Sequence, residues 1–333
     1  MEALLTALRA AAEPTRLRIL ALAATGAFCV TEFTDILGQS QPRLSRHLKL
    51  LCEAGLLERL QEGANAWFVV PLGPAGALTR ELVAKLPPGD PLLAADRREA
   101  ARVVAERARI ASESFQKQGA DWDEMRALGL PAEAVEASLL ALVPPQGAGR
   151  LLDIGTGTGR ALELLGPRVT EGLGIDASKA MLALARARLV RAGLPHCSVR
   201  LADMYRLPLP DAGFDIAVLQ MVLHHAEDPA RVLAEAARVL RPGARLIVVD
   251  LAPHPSEATQ NLAHRWPGFS NDAMHRWIYA AGLTPGEATP VPGPPALPVR
   301  IWLGNLPPPL REGVGGRGRD TKPPLPHPRE LTS

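Results

Sequence analysis

The sequence has few aromatic residues, few cysteines and no long apolar run, and each shortage excludes a class of protein. Aromatic residues make up 4% of the 333 residues, and the three cysteines are too few for a disulfide framework. Apolar runs end well before the roughly 18 residues that a membrane-spanning helix needs. The start, Met1–Leu5, lacks the basic and apolar regions of a signal peptide. We therefore expect a cytoplasmic protein with no membrane segment.

The sequence also has little net charge. Its 37 Lys and Arg residues nearly balance 35 Asp and Glu residues, which leaves a formal charge of +2. Such a chain has no overall attraction to nucleic acid, so any DNA-binding face has to be local. Hydrophobic residues amount to 47%, which excludes wholesale disorder. At about 100–200 residues per domain, the length predicts two folded domains.

Prolines and glycines divide the chain into parts with different patterns. The first part contains helical patterns that end in two strands, and Pro- and Gly-rich residues 76–91 look like a linker. An Arg- and Glu-rich helix is predicted over residues 92–118. The third part repeats strand, glycine turn and helix, which is typical of βαβ units on a parallel sheet. The predicted parts are residues 1–75, a linker with a connecting helix (76–112), residues 113–305 and a disordered Pro/Gly-rich tail (306–333), which lacks any periodicity from Arg311 onward.

The first part contains a helix, a tight turn at Gly38 and a second helix, which is a helix-turn-helix arrangement. Ser40 is suited to cap the second helix, and Pro42 fits its first turn. This second helix enters the major groove, where polar and basic side chains contact base edges and phosphates. The candidate DNA-binding residues are Ser40, Gln41, Arg43, Ser45, Arg46, His47 and Lys49.

Two further apolar segments, Gly55–Leu60 and Ala66–Val70, predict a hairpin, or wing, after the second helix. With "EPTRLRILALAA" and "LGQSQPRLSRHLKLLCEAGLLERLQEG", the first 75 residues resemble ArsR/SmtB winged-helix repressors. The resemblance implies a homodimer that binds a palindromic operator in double-stranded DNA. The alternative is a winged helix kept only as a dimerisation module.

The chain departs from the metal-sensing repressors at one cysteine. Those proteins often carry a Cys-x-Cys pair where this chain has Cys29-Val30-Thr31. A soft-metal site needs three or four ligands, so a single cysteine is more often a small buried side chain. We therefore expect no metal site. The wing tip also lacks an arginine for a strong minor-groove contact.

The centre of the chain carries a glycine-rich turn between a buried strand and a helix, within Leu151–Leu162. Glycines let the backbone pass close to a ligand, and a helix N-terminus presents free N–H groups to it. Acidic residues end the next two strands. Asp176 is suited to accept ribose hydroxyls, and Asp203 to accept an adenine amino group with Met204 against the ring. A fourth strand, Phe214–Gln220, precedes a helix, a Pro-Gly turn and a fifth strand.

These five segments, in this order, resemble class I S-adenosylmethionine-dependent methyltransferases over about residues 113–305. The implied fold is α/β, with a winged helix-turn-helix domain before a Rossmann-like domain, and the implied cofactor is S-adenosylmethionine. Dinucleotide dehydrogenases compete with this interpretation, but they require Gly-x-Gly-x-x-Gly rather than the Gly-x-Gly-x-Gly found here. The cofactor-binding residues so implied are Asp153, Gly155, Gly157 and Gly159 at the methionine side, Asp176, Asp203, Met204, and Gln220 below the sulfonium.

Methyl transfer depends mainly on holding the acceptor in line with the methyl group, and only hydroxyl or protonated amine acceptors need a base. His224 and His225 follow the fourth strand and are the candidate catalytic residues, because histidine titrates near neutral pH. The alternative is that one histidine packs while the other lines the pocket. Trp122 is a candidate contact from a cap over the cofactor, or else a core residue.

Two functions follow from this combination and remain open at the level of sequence. In the first, the chain is an enzyme that methylates a small molecule, and the winged helix provides dimerisation and autoregulation. In the second, it is a transcriptional repressor whose methyltransferase fold senses S-adenosylmethionine or its demethylated product. Intact cofactor residues are compatible with both.

Overall fold

The computed structural model describes residues 1–62, 65–117, 131–254, 265–293 and 297–308. The predicted fold class is confirmed, because a helical unit with a small sheet precedes a mixed α/β sheet flanked by helices. Trp122 and the tail from residue 309 onward lie outside the described residues, so neither prediction is addressed. Leu306, within the predicted tail, exchanges backbone hydrogen bonds with Gly243 and Ala244.

The N-terminal unit contains the helix-turn-helix and a hairpin. Its helices bury Ile19, Leu44 and Leu48 completely. Gly38 ends the helix before the turn with φ of 64°, a conformation that glycine adopts without strain. Its elements are α1 (Glu2–Ala11), α2 (Pro14–Ala23), β1 (Phe28–Cys29), α3 (Val30–Leu37), α4 (Gln41–Glu53), β2 (Glu58–Glu62) and β3 (Asn65–Val69), with β3 between β1 and β2.

The segment predicted as a linker contains a helix, α5 (Ala77–Ala84), which the sequence analysis missed. The buried hydroxyl of Thr79 donates to the carbonyl of Leu56 at 2.8 Å and ties this helix to the N-terminal unit. The long helix α6 (Pro91–Lys117) agrees with the predicted range within one residue at each end. Asp90 begins it by accepting the backbone N–H groups of Leu92 and Leu93.

The second unit is built on a mixed sheet with the strand order β10-β11-β8-β7-β4-β5-β6. Strands β8, β7, β4, β5 and β6 are parallel, and β11 runs antiparallel to β8. The elements are α7 (Ala132–Leu142), β4 (Arg150–Ile154), α8 (Arg160–Leu165), β5 (Glu171–Asp176), α9 (Lys179–Arg191), β6 (Cys197–Leu201), β7 (Phe214–Gln220), α10 (Pro229–Val239), β8 (Leu240–Leu251), α11 (Asn271–Ala280), β9 (Thr284–Pro285), β10 (Thr289–Pro290) and β11 (Val299–Asn305).

Alternate residues of the strands build two apolar layers, one on each face of this sheet. Leu151, Ile216 and Val218 pack with helices α7, α8 and α9 on one face. Leu152 and Ala217 belong to the cluster with α10 and α11 on the other face. Since both faces are covered, the central strands read as continuous apolar runs, and this made them predictable.

Three details of the sheet differ from the sequence analysis. The third strand ends at Leu201, so that Asp203 and Met204 lie in the turn after it. The Pro-Gly turn lies inside β8, because this strand bulges where Leu240 pairs with Phe214 and Arg245 pairs with Ile216. Strands β9, β10 and β11 were not predicted. Strands β9 and β10 each contain a proline, which predicts a loop rather than a strand. The sheet accommodates these prolines because both strands are two-residue segments that pair only with β11 among the described strands.

Candidate functional site

One edge of the large sheet collects the polar residues that were singled out in the sequence. Parallel neighbouring strands end at the same edge, where ligands bind in open α/β sheets. Asp153 lies on β4 just before the glycine loop, Asp176 ends β5, and Gln220 ends β7. Asp203 and Met204 follow β6 directly. The predicted cofactor residues are therefore brought to a common edge.

The glycine loop after β4 is held close to the neighbouring strand. The N–H groups of Gly155 and Thr156 both donate to the carbonyl of Ile175, at 2.9 and 2.8 Å. A side chain at Gly155 would bring its Cβ within 2.3 Å of Val222, so only glycine fits there. Gly157 has φ of 52° and open space where its Cβ would stand. The loop is thus packed on one side and leaves room for a ligand at Gly157.

Asp153 lies beneath the loop rather than in the open cleft. Its side chain is 1% exposed and accepts the hydroxyl of Thr156 at 2.6 Å. Burial raises the pKa of this carboxyl to about 7, against the smaller lowering effect of the Thr156 hydrogen bond. Asp153 can therefore position the loop through Thr156, and a direct contact with a ligand requires the loop to move.

Asp176 faces the glycine loop from the end of β5. Its carboxylate accepts the N–H of Gly157 at 2.9 Å and that of Ser178 at 2.8 Å. A carboxylate has about four acceptor positions, so these two bonds leave capacity for a ligand's hydroxyl groups. Burial raises the pKa of Asp176, while the nearby His225 acts in the opposite direction.

The residues predicted around adenine and sulfonium differ in exposure. Asp203 is exposed, and its carboxylate accepts the N–H of Tyr205 at 3.0 Å. Met204 is half-buried against the apolar layer that contains α10. Gln220 is half-buried at the end of β7, just before Met221, which has φ of 53°. A positive φ is uncommon outside glycine and marks a strained turn between β7 and the two histidines.

The two candidate catalytic histidines occupy different environments, which corrects the expectation that either could act as a base. His224 is completely buried, and its Nδ1 lies 2.7 Å from Asp250 Oδ1. His225 is half-buried, and its Nε2 lies 3.1 Å from Nε2 of His224. His224 therefore has no surface exposed to solvent, whereas His225 is partly exposed.

Asp250 is the residue of this cluster that the sequence analysis missed. It is fully buried and accepts backbone N–H groups of Leu223, His224 and Leu251 in addition to contacting the His224 ring. The available signal was an acidic residue at the end of an apolar strand, the same signal that indicated Asp176. Its significance depends on which side chain faces it, and the sequence does not provide that.

The second helix of the helix-turn-helix presents most of its predicted DNA-binding residues to solvent. The exposed ones are Ser40, Gln41, Arg43, Ser45, Arg46 and Lys49. Arg43 and Arg46 form no ion pair with any residue in the described part of the chain, whereas Lys49 lies 3.7 Å from Glu53. Ser40 occupies the N-cap position but makes no side-chain capping bond.

His47 is the exception among these residues. Its side chain is 14% exposed and its Nδ1 lies 3.8 Å from Glu13, the residue that caps α2. Burial lowers the pKa of His47, and the adjacent Glu13 only partly compensates. The expectation that His47 faces DNA is therefore corrected, because the ring packs inward between α4 and the start of α2.

The wing is attached to the second unit by two ion pairs, one buried and one partly exposed. Glu62, 2% exposed, lies 2.5 Å from Arg186 on α9 and also accepts the N–H of Leu201 at 3.2 Å. Glu58, on the same face of β2, lies 2.8 Å from Arg200 on β6. Leu201 ends β6, two residues before Asp203. One face of the wing thus contacts the strand that leads to the candidate cofactor residues.

The described portion of the chain contains neither a group of metal ligands nor a membrane-spanning helix. No group of three or more His, Cys, Asp and Glu side chains there could hold a metal ion. Cys29 is half-buried beside Thr31. Among the helices described, none has both the length and the apolar character to cross a membrane.

Comparison with known families finds one match within each unit. Residues 13–59 match the family described as "Bacterial regulatory protein, arsR family", and residues 152–248 match the family described as "Methyltransferase domain". Both resemblances predicted from the sequence are confirmed.

Individual relatives match parts of the chain. It is 38% identical over 153 residues to trans-aconitate 2-methyltransferase of Methylobacterium nodulans, covering 45% of this chain and 57% of that protein. It is 35% identical over 101 residues to the methyltransferase YcgJ of Bacillus subtilis, covering 30% and 40%. The chain spans 28% to 57% of the length of such curated relatives. The Haloferax volcanii complex of the Trm112 methyltransferase activator with a methyltransferase has the same fold at 20% identity, with a TM-score of 0.50 over 59% of this chain and 96% of that one.

Proposed function

We propose that this chain, which joins an ArsR-family helix-turn-helix segment to a methyltransferase domain, transfers a methyl group from S-adenosylmethionine to a small molecule and binds operator DNA. The observation that carries the proposal is the sheet edge where the glycine loop, Asp176 and Asp203 meet. Loop and carboxylate are already joined by the hydrogen bond from Gly157 to Asp176. Methyl transfer and operator binding are combined because one chain contains both units.

The residues at this edge fit S-adenosylmethionine. Asp176 has unused acceptor positions for the two ribose hydroxyls, and the exposed Asp203 can accept the adenine amino group. The open space at Gly157 admits the methionine part next to the backbone. When bound, the cofactor supplies an electrophilic methyl group on sulfur.

The chain's own residues then hold the acceptor and remove its proton. Neutral His224 with its proton on Nδ1 donates to Asp250, which leaves its Nε2 to accept from Nε2–H of His225. In that arrangement Nδ1 of His225 is the basic nitrogen and takes the proton of a hydroxyl or ammonium acceptor. Asp250 acts through His224 as a positioning residue, in the way that an orienting carboxylate fixes a histidine tautomer.

Calorimetric titration of the full chain with S-adenosylmethionine tests the cofactor assignment. Hydrogen bonds to a charged group contribute about 1.5–3 kcal/mol, so we expect Asp176→Ala to weaken binding by about ten- to a hundredfold. Asp211→Ala removes an exposed carboxylate that pairs with Arg238, and it is the matched control that we expect to bind normally. Wild-type affinity in Asp176→Ala would remove Asp176 from the site.

A second function, sensing of S-adenosylmethionine or its demethylated product, is favoured by the contact from Glu62 to the backbone of Leu201. This contact connects the wing to the strand before Asp203. A ligand that rearranges this strand end therefore also displaces the backbone N–H group that Glu62 of the wing accepts. Sensing requires that the cofactor bind the DNA-bound and free protein with different affinities.

Operator affinity with and without saturating cofactor distinguishes the sensor from a plain enzyme. A sensor changes its DNA affinity by a factor of about 5 or more, and this factor shrinks in Arg200→Gln, which removes the half-exposed pair with Glu58. Arg188→Gln, on the same helix as Arg186 but paired with Glu163, is the control. Equal DNA affinity in both conditions would exclude the sensor.

A further inference from the structure

A cavity of about 360 Å³ lies between the helix-turn-helix unit and the methyltransferase domain, away from the candidate cofactor residues. Ala21 and residues 23–27, at and just after the end of α2, line one side, together with α5 and α6. Residues 195–199, where β6 begins, line the other side with the end of α9. Asp203 and Met204 follow the opposite end of β6, so the cavity and this part of the cofactor edge lie at the two ends of one strand.

The walls of this cavity are mostly apolar. Alanine, valine and leucine side chains from both units form them, among them Ala23, Val69, Leu72, Val104 and Leu189. Pockets that bind small molecules have volumes of about 300–1,000 Å³ and combine apolar walls with a few polar groups. The cavity has the size and the lining for the apolar body of a small molecule.

The charged groups of the cavity lining are cationic. Four arginines line it: Arg80, Arg97, Arg107 and Arg186. Three of them already pair with carboxylates, Arg80 with Glu171, Arg107 with Glu32 and Arg186 with Glu62. Arg107 and Arg186 stand over the ring of Trp67, with their guanidinium carbons 4.9 and 4.1 Å from its centroid. Arg97 is exposed and forms no ion pair with a residue that the structure describes. Arg97 is therefore the lining charge that no carboxylate in the described residues balances, and it favours an anion.

Two of these arginines carry buried donors that the protein leaves unused. The Nε atoms of Arg107 and Arg186 are buried and have no hydrogen-bond partner in the described structure. Arg186 is 4% exposed, so water does not reach it readily. An unmade hydrogen bond of a buried donor costs about 1–3 kcal/mol, more for a charged group. An anionic oxygen at this end of the cavity would satisfy these donors.

We propose that the cavity binds a small carboxylic acid with an apolar body, whose carboxylate lies among the arginines and whose chain fills the apolar part. Such a ligand touches α2, α5 and α6 on one side and α9 and β6 on the other. It therefore stabilises the docked arrangement of the two units. This site does not depend on the cofactor assignment, because none of its residues belongs to the cofactor edge.

Octanoate is the probe for this site, and octan-1-ol is its matched control, since it has the same apolar chain without the charge. Calorimetric titration of the full chain should give saturable one-to-one binding of octanoate, with octan-1-ol binding at least tenfold more weakly. Arg97→Gln should weaken octanoate binding by about tenfold, because it removes a charge that faces the ligand. The neighbouring Arg98→Gln, exposed but outside the cavity lining, should leave it unchanged.

A cavity-filling variant provides the second measurement. Ala24 is half-buried in the cavity wall, and Ala24→Phe should abolish octanoate binding while S-adenosylmethionine still binds, which shows that the chain is folded. Equal affinities for octanoate and octan-1-ol would overturn the proposal. So would undiminished octanoate binding in both Arg97→Gln and a folded Ala24→Phe variant.

Discussion

At the scale of single residues, the buried carboxyl group of Asp153 makes the free energy of unfolding depend on pH. Its pKa rises to about 7 in the folded chain, against about 3.9 when unfolded. Between these values the folded chain holds a proton that the unfolded chain has lost. The free energy of unfolding therefore falls as pH rises through this window, and above about pH 7 this contribution is lost.

Asp153→Asn should remove this pH dependence, because the amide oxygen still accepts the Thr156 hydroxyl but cannot ionise. Thermal unfolding of both proteins between pH 5 and pH 8 provides the measurement. We expect wild type to lose stability relative to Asp153→Asn as pH rises, and Asp211→Asn, at an exposed position, to follow wild type. Parallel curves for wild type and Asp153→Asn would contradict the raised pKa.

His225 and His224 are adjacent in sequence and opposite in accessibility, so they should respond differently to substitution. A general base contributes about 10²–10⁴-fold to rate. We expect His225→Ala to lower kcat by at least a hundredfold with a hydroxyl acceptor while the affinity for S-adenosylmethionine stays the same. An unchanged kcat would show that the acceptor needs no base or finds it elsewhere.

At the scale of elements, helix α4 exposes arginines to solvent, whereas one face of the wing is covered by the second unit. Glu58 and Glu62 on β2 contact the methyltransferase domain, whereas Arg43 and Arg46 on α4 are exposed. Base and phosphate recognition by this chain should therefore depend on α4 more than on the buried face of the wing.

Arg46→Ala should weaken operator binding by about tenfold, since loss of one base contact costs about 1–3 kcal/mol and loss of a phosphate contact also reduces the salt dependence. Arg191→Ala, an exposed arginine on α9, is the control for removal of one positive charge. A gel shift across several salt concentrations measures both quantities. Equal shifts for Arg46→Ala and wild type would mean that α4 does not face the DNA.

The elements that sequence analysis predicts well are those with one dominant local signal. Strand β7 was predicted to the residue, because an apolar run buried on both faces marks it. Helix α5 and strands β9 and β10 were missed, because nearby prolines and glycines indicate loops. Contacts with residues distant in sequence stabilise these elements, and local patterns do not reveal such contacts. The fold class and both families were accessible from motif order alone.

The sequence indicated which residues gather at one edge of the sheet, but not how deeply each is buried or what it contacts. The strand ends indicated Asp176 and Asp203, while the depth of Asp153 and the burial of His224 depend on contacts distant in sequence. Glu62 looked like an ordinary charge in a hairpin, and its partner Arg186 is 124 residues away. His47 was misassigned for the same reason, since Glu13 precedes it by more than two helices.

For the molecule as a whole, the strand β6 connects three features. Its first residues line the cavity between the units, its last residue bonds to the wing, and Asp203 and Met204 follow it. The two proposed ligand sites thus lie at the two ends of a strand that the helix-turn-helix unit touches. A regulator that is also an enzyme can use such a connection to relate methyl supply to operator binding.

Transfer of label from methyl-labelled S-adenosylmethionine tests the central claim most directly. The purified chain and its Asp176→Ala variant are each incubated with desalted cell extract that has been separated by size, and the label is followed. We expect label in a small-molecule fraction with the wild-type chain and a loss of at least tenfold with Asp176→Ala. Label that stays on intact, protein-bound cofactor and is never transferred would contradict the enzymatic function and leave the sensor in its place.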